Sequence, residues 1–347
     1  MSPPDEHLRE ILALHFHPQH GAPYWLERQR ALGFSVVERI RGMDDLPLLG
    51  PMDQDALRRY PVEAFIPRKF AGRPIICAET GGATGIPKTT AWFEEDLHQA
   101  FVRPFLDATE KARKKWPPDG HWLWLGPGGP HVIGKVAHRI AQQTTGCDAF
   151  SVDFDPRWFR RLSPGSVAAA RYRDHVLEQG LRILQQQNIG YLFTTPAVLT
   201  PLLEQMAPET RARILFIYLG GMPVSEQDLA LYREQFPAAQ TLCGYGNTLF
   251  GVCHQGQGEG LCYYPSSERH VIQIVTLDEG MDDARRLRHP VAYGERGQVV
   301  MHRLTESAFL ANVMERDSGT RIAGERDGVA DPGPCERTPF VVADGIY

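Results

Sequence analysis

The chain has 347 residues, 42% of them hydrophobic and 23% charged, which is enough apolar surface for one large globular domain or two and excludes a disordered polymer. A formal net charge of -5 and a sequence pI near 6.2, with no long basic block, argue against a general nucleic-acid or membrane-surface binder and for a small ligand. Residues 1–14 carry Asp5, Glu6, Arg9 and Glu10 in place of a signal peptide's apolar core, and no run reaches the ~18 apolar residues of a membrane span, so the expected location is cytoplasmic. Six cysteines spread over this length give no disulfide framework and fit reduced thiols.

Residues 1–70 mix helical spacing of apolar side chains, at Leu8, Ile11 and Leu12 and again at Trp25, Leu26 and Leu32, with proline turns at Pro47 and Pro61. They read as a helical layer leading into a sheet. Pro74-Ile75-Ile76-Cys77-Ala78 then reads as a strand. It runs into Glu79-Thr80-Gly81-Gly82-Ala83-Thr84-Gly85-Ile86-Pro87-Lys88, which packs glycines, threonines and a lysine together. Such a loop can turn several backbone amides toward one anion, with the lysine adding charge where phosphoryl oxygens would sit. A plain surface turn between strands is the other reading of a glycine-rich segment. Residues 92–115 carry an amphipathic helical pattern, with Glu94, Glu95 and Asp96 near its start, where the helix dipole favours acids.

His121-Trp122-Leu123-Trp124-Leu125 reads as a buried strand, followed by Gly126-Pro127-Gly128-Gly129-Pro130-His131 and a helix over 132–143. This order puts the turn at the carboxyl end of a strand, where open α/β sheets bind ligands. A dinucleotide fingerprint is rejected, because His131 stands where a third glycine should allow close helix packing and the prolines remove backbone donors. His131 faces a pocket or sits in a solvated turn; Trp122 and Trp124 are read as core in preference to pocket wall. The alternation continues with strands at 149–153, 191–194 and 214–219 and helices at 172–187 and 196–205. Gly220-Gly221-Met222-Pro223 then precedes a helix opening at Ser225, with Asp228 three residues on, and a strand running into Gly244. Strands separated by helices imply βαβ units and a mostly parallel sheet. From Gly251 onward, β-rich runs at 271–277, 297–304 and 308–315 predict an antiparallel β subdomain.

In this order the motifs resemble those of the adenylate-forming enzymes, the acyl-CoA synthetase and AMP-dependent ligase superfamily, and within it the phenylacetate–coenzyme A ligase-like branch. Thr80 to Lys88 lines up without a gap with the family's phosphate loop. Gly220-Gly221-Met222-Pro223 is similar to its adenine segment, Tyr245-Gly246-Asn247-Thr248-Leu249 to its Y-G-x-T-E segment, and residues 294–304 to its later G-E-x-G-E-L-V-V-T-x-L run. The ribose segment can be laid over 309–317, which puts its aspartate on Asp317; a rival alignment through Ser318 and Gly319 puts Thr320 there. Asp317 is preferred, since a carboxylate accepts both ribose hydroxyl hydrogen bonds. Residues 332–338 resemble a P-C-P-C-G-R-T segment near the end of the family's large domain.

The resemblance implies an α/β fold: the large N-terminal domain of the adenylate-forming enzymes, mostly parallel sheets flanked by helices plus an antiparallel β subdomain. It would divide into a helical lead-in over 1–70, an α/β portion over 71–250 and a β-rich subdomain over 251–347, with the small C-terminal domain absent. It also implies ATP-dependent activation of a small, aromatic carboxylic acid to an acyl-adenylate in a specialised pathway, with ATP or AMP and Mg as cofactors. Thr80, Gly82, Thr84, Gly85 and Lys88 would hold the β- and γ-phosphates, and Gly220, Gly221 and Met222 would meet adenine. Tyr245 would stack on the base, Gly246, Asn247 and Thr248 would border the α-phosphate, and Asp317 would hold the ribose. Lys88, Thr248 and His131 are the catalytic candidates, His131 lining the acyl pocket.

Several positions depart from the family pattern. Gly81 and Ala83 replace hydroxyl residues, Leu249 replaces the glutamate used around Mg, and the sequence stops at Tyr347, before the domain that brings a catalytic lysine. A partner protein supplying that domain, a homodimer, and a degenerate member of the fold that acts as a binding or scaffold protein or catalyses a different reaction are therefore carried as alternatives. Cys253, Cys262 and Cys335 fall at three of the four places where some members hold zinc, with His254 available as a fourth; buried thiols are the competing reading.

Overall fold

The computed structural model describes residues 3–82, 85–256 and 260–335. These form two compact units, one taking the residues up to Phe101 and those from Asn247 onward, the other running from Val102 to Gly246. The first unit opens with helices Pro3–His15 and Pro23–Leu32, whose apolar faces enter a core containing Leu8, Leu12, Phe16, Trp25, Leu46 and Phe309. Trp25 fixes this layer, since its Nε1 donates to the Phe309 carbonyl at 2.8 Å. Strands β1 (Ile76–Glu79) and β2 (Thr89–Trp92) pair antiparallel as a separate hairpin.

The second unit is a five-stranded parallel sheet of β3 (His121–Gly126), β4 (Phe150–Asp153), β5 (Ile189–Thr194), β6 (Phe216–Leu219) and β7 (Gln240–Asn247), in the order β4-β3-β5-β6-β7. β5 and β6 are buried along their whole length, as strands covered on both faces must be. Trp122 and Trp124 are both core, 2% exposed, with Trp122 Nε1 donating to Thr144 Oγ1 at 2.8 Å. The crossover helices have the signals expected of them. Ser166 caps Val167–Gln186 by accepting from Ala169 N, and Ser225 and Asp228 form a complete capping box on Glu226–Gln235. Residues 92–115 do not form one helix. Glu94–Leu97 passes through a π-turn at His98–Val102 into Arg103–Arg113, because Pro104 has no amide to continue the ladder.

The remaining strands belong to the first unit: β8 (Gly251–Gln255), β9 (Cys262–Tyr264), β10 (His270–Val275), β11 (Arg296–Leu304), β12 (Phe309–Ile322) and β13 (Gly328–Pro334), antiparallel in the order β10-β11-β12-β13-β9-β8. β12 bulges twice against β11. Gln298 pairs with Ser318 and Val300 with Met314, so residues 315–317 stand opposite Val299 alone. At the second bulge Asn312 takes a left-handed φ of 57, which asparagine tolerates. Its Nδ2 donates to the carbonyls of Leu46 (2.7 Å) and Gly50 (2.8 Å), its N–H to His302 Nδ1 (3.1 Å), and its carbonyl accepts from Met52 N (3.1 Å). Asn312→Ala strands one buried and one part-buried carbonyl, so urea denaturation should show a loss of about 2–3 kcal/mol. A loss under about 0.5 kcal/mol would show that the 43–52 segment is held by other contacts.

Candidate functional site

The glycine loop closes the β1–β2 hairpin, and its neck is fixed by its own side chains. Thr80 N–H donates to the Lys88 carbonyl at 2.9 Å, while Lys88 N–H donates to Thr80 Oγ1 at 3.0 Å. Gly82 and Gly85 hold φ values of 68 and 122, and Gly85 N–H donates to Gly82 O at 3.1 Å; a Cβ on Gly82 would lie 2.9 Å from the Gly85 carbonyl oxygen. The segment thus joins two antiparallel strands at a hydrogen-bonded neck that ends in a lysine. Thr84, with Ala83, lies outside the described residues. Arg58 supports the loop from the neighbouring segment, donating from Nε to the Ile86 carbonyl at 2.7 Å while pairing with Asp55.

Lys88 is half-buried and its ammonium donates to Gln54 Oε1. Gln54 in turn donates from Nε2 to the Met314 carbonyl at 2.8 Å, which ties the lysine to the first β12 bulge. Burial lowers the Lys88 pKa and Glu315 opposes that; burial raises the Glu315 pKa, which Lys88 and a hydrogen bond from Asn247 oppose. Glu315 Oε1 is sealed from solvent without a hydrogen-bond partner and lines a small cavity of about 10 Å³, room for a water at most, with Leu249, Phe250, Met301, Arg303 and Leu310. Asp317 stands in the same bulge, half-buried, and its charge acts on Glu315. The bulge therefore gathers Lys88, Asn247 and Asp317 around Glu315. Thr248 follows in a turn fixed by Asn247, whose Oδ1 accepts from Leu249 N (2.9 Å) and Phe250 N (3.1 Å).

In the second unit the other expected residues lie along one edge. Strand order places a topological switch between β3 and β5, where βα connections leave in opposite directions at the carboxyl ends. Gly220, Gly221 and Met222 continue β6 at that edge, Gly221 with a φ of 81; nothing comes nearer than 3.9 Å to where a Cβ on Gly220 would sit, so the backbone there is open to a flat ligand. Tyr245 and Gly246 end β7 at the same edge, half-buried and exposed. His131 follows β3 at the N-cap of helix Val132–Thr145, 6% exposed and making no side-chain cap bond, which removes the solvated-turn alternative. The close-packing glycine missing at 131 is supplied one turn later. A Cβ on Gly134 would stand 2.9 Å from Gly128 Cα and 3.0 Å from the Pro127 carbonyl oxygen, so the helix lies directly on the loop. Asp153 pins that loop by accepting from Gly128 N at 2.6 Å. Gly134→Val should lower the melting temperature by roughly 2–10 °C, corresponding to the 1–3 kcal/mol of overpacking against backbone; an unchanged melting temperature would show that the helix can lift off the loop.

Metal ligation finds no support in the donor set. Among the described residues no three His, Cys, Asp or Glu side chains converge, and Leu249, 3% exposed in the core, offers no oxygen. Cys253, Cys262 and Cys335 are not brought together with His254. Burial pushes the Cys253 thiol far up and the His254 imidazole down to about 3, which favours a neutral thiol and a neutral ring. Among the described residues no helix is long and apolar enough to cross a membrane. Gln54, Glu315 and Asn312 carry no sequence motif; a buried acid inside a β-rich run, at Glu315, was the one available signal.

No family model matches the chain, and no curated protein matches it in sequence. Solved structures do. A 2-hydroxyisobutyryl-CoA ligase in the postadenylation state with 2-HIB-AMP is 13% identical, covering 99% of this chain and 70% of that one with a TM-score of 0.66. The chain has the fold of an adenylate-forming ligase. The same ligase fold is matched with 2-HIB-AMP and CoA in the thioesterification state, at 15% identity and TM-score 0.65 over 99% of this chain and 70% of that one. In an open conformation the match is 13% identical at TM-score 0.65, over 94% and 67%. The mostly parallel sheet flanked by helices and the antiparallel strands of the ligase fold agree with the expected fold class.

Proposed function

We propose that the chain binds ATP and activates a small carboxylic acid as its acyl-adenylate: a carboxylate oxygen attacks the α-phosphorus, and the bond to pyrophosphate breaks. The observation that carries this is the Thr80–Lys88 segment, a glycine turn whose two ends are hydrogen-bonded to each other and which ends in a half-buried lysine, on a ligase fold. Two anions must meet in this reaction, so fixed amides and a cation at the β- and γ-phosphates hold the charge that develops on the departing pyrophosphate. Thr80, Gly82, Thr84, Gly85 and Lys88 do this work, and Thr248 borders the α-phosphate. Gly220, Gly221 and Met222 receive adenine, Tyr245 stacks on it, and Asp317 accepts from the ribose hydroxyls. His131 borders the acyl group, and the likeness of the motifs to the phenylacetate branch favours an aromatic acid.

Hydroxylamine trapping with ATP and a panel of aryl and short alkyl acids tests this. At least one acid should give its hydroxamate, and Lys88→Ala should lower the rate by about 100-fold, the scale of losing one charge-stabilising donor. No hydroxamate from any acid, with protein that melts cooperatively, would contradict it. A second reading, nucleotide binding without turnover, draws on the burial of Leu249 where an oxygen ligand is expected; it predicts ATP binding with no hydroxamate.

A further inference from the structure

We propose that Gln54 and Glu315 are positioning residues for Lys88: the amide of Gln54 orients the lysine ammonium, and the carboxylate of Glu315 on the β12 bulge sets a negative charge near it, for an anionic ligand of the glycine loop. The inference rests on the reading of that loop as a phosphate site and adds to it two residues that no motif marks. Gln54 is built into the structure at both ends, accepting from Lys88 Nζ and donating to the Met314 carbonyl, so the ammonium is referenced to the β12 backbone as well as to its own hairpin. Glu315 follows Met314 in the bulge, with one oxygen sealed and unpartnered in the cavity. A lysine side chain left to itself loses rotamer freedom on ligand binding, and a tether that already fixes it removes part of that cost.

Charge acts in the same direction. The groups facing Lys88 are Glu315 and Arg316 on β12 and Asp55 and Arg58 on the loop's supporting segment; burial and the two arginines favour the neutral amine, and the two acids favour the ammonium. Those facing Glu315 are Lys88, Asp317 and Arg316, with Asn247 bonded to it and Arg303 on β11 lining the same cavity. Removing the Glu315 charge therefore lowers the Lys88 pKa, and the amine loses its proton at a lower pH. The loss of one negative neighbour also relieves repulsion of a phosphate, so affinity near neutrality is the less informative readout and the pH limb the decisive one.

Calorimetric titration with ATP, from about pH 7 to about pH 10, on wild type, Gln54→Ala, Glu315→Gln and Lys88→Ala, tests the proposal. Gln54→Ala is expected to weaken ATP about 5–10-fold with an unchanged melting temperature. Glu315→Gln is expected to move the alkaline loss of binding at least about half a pH unit lower. Should Glu315→Gln fail to fold, Gln54→Ala alone decides, since Gln54 is half-buried at the edge of the core. Wild-type affinity in Gln54→Ala and an unmoved pH limb in Glu315→Gln, beside lost binding in Lys88→Ala, would overturn the positioning role and leave the phosphate loop standing. Wild-type affinity in Lys88→Ala would overturn both.

Discussion

Arg303→Ala is expected to cost about 4 kcal/mol, enough to leave the unit built on residues 3–101 and β8–β13 marginal at room temperature. Arg303 is 1% exposed, and every direction of its guanidinium is used. It donates to Ala91 O and Ser307 Oγ at 2.7 Å, to Thr305 Oγ1 at 2.9 Å and to Thr90 Oγ1 at 3.1 Å, and it lies over the Trp92 ring at 3.2 Å. Burial pulls its pKa down to about 9, still well above neutrality, with Asp96 opposing the shift. Asp96 is itself buried and accepts from Ser307 N (2.8 Å) and Oγ (2.6 Å). Asp96 keeps Arg269 at 3.5 Å, but truncation at 303 leaves the buried Ala91 carbonyl and the Thr90, Thr305 and Ser307 hydroxyls without their donor, which is the costly way to break a buried polar cluster. Arg303→Met keeps the volume but not the donors and should recover only part of the loss. Urea denaturation followed by tryptophan fluorescence reads the difference. A cost below about 1.5 kcal/mol for Arg303→Ala would show that water or neighbouring donors reach the cluster.

The second large effect is loss of stability in acid. His15 and His302 are held at about 4, and His254 and His270 at about 3, each chiefly by burial, against 6.5 in the unfolded chain. The folded state keeps these rings neutral, so above 6.5 they add no pH dependence. As pH falls from 6.5 toward the folded values, the unfolded chain takes up protons that the folded chain refuses, and stability falls. Each such proton is worth about 1.4 kcal/mol per pH unit, so four set an upper bound of about 5 kcal/mol per unit between pH 6 and pH 4. Denaturation midpoints measured across this range should drop steeply below about pH 6. His270→Phe, beside Phe250 at 5.3 Å, removes one titrating group from an apolar setting and should flatten the slope by one proton. A midpoint flat down to about pH 5 would mean that these rings gain water or partners on protonation.

Much of the architecture is legible in the sequence because burial on both faces of a parallel strand leaves an apolar run, and because Ser166, Ser225 and Asp228 stand where cap bonds form. The glycine loop and Gly220-Gly221-Met222 are legible for a related reason, since backbone sites need glycine. The π-turn before Arg103 could have been found from Pro104. The β12 bulges could not: a bulge is a property of register between two strands, and neither Glu315 nor Asn312 sits in a local pattern that signals it. The partners of Lys88 were missed for the same reason, Gln54 and Glu315 being respectively 34 and, by sequence, far more residues away. His131 was legible as a loop residue, but its burial was not, since it depends on contacts outside the local sequence.

Acid-dependent exchange of radiolabelled pyrophosphate into ATP tests the central claim most directly, because it needs the adenylate to form and reverse on the protein and needs no later acceptor. With the acid that gives a hydroxamate, wild type should exchange label and Lys88→Ala should exchange it about 100-fold more slowly. Exchange that is absent with every acid while ATP still binds, or that runs equally fast without Lys88, would contradict the account.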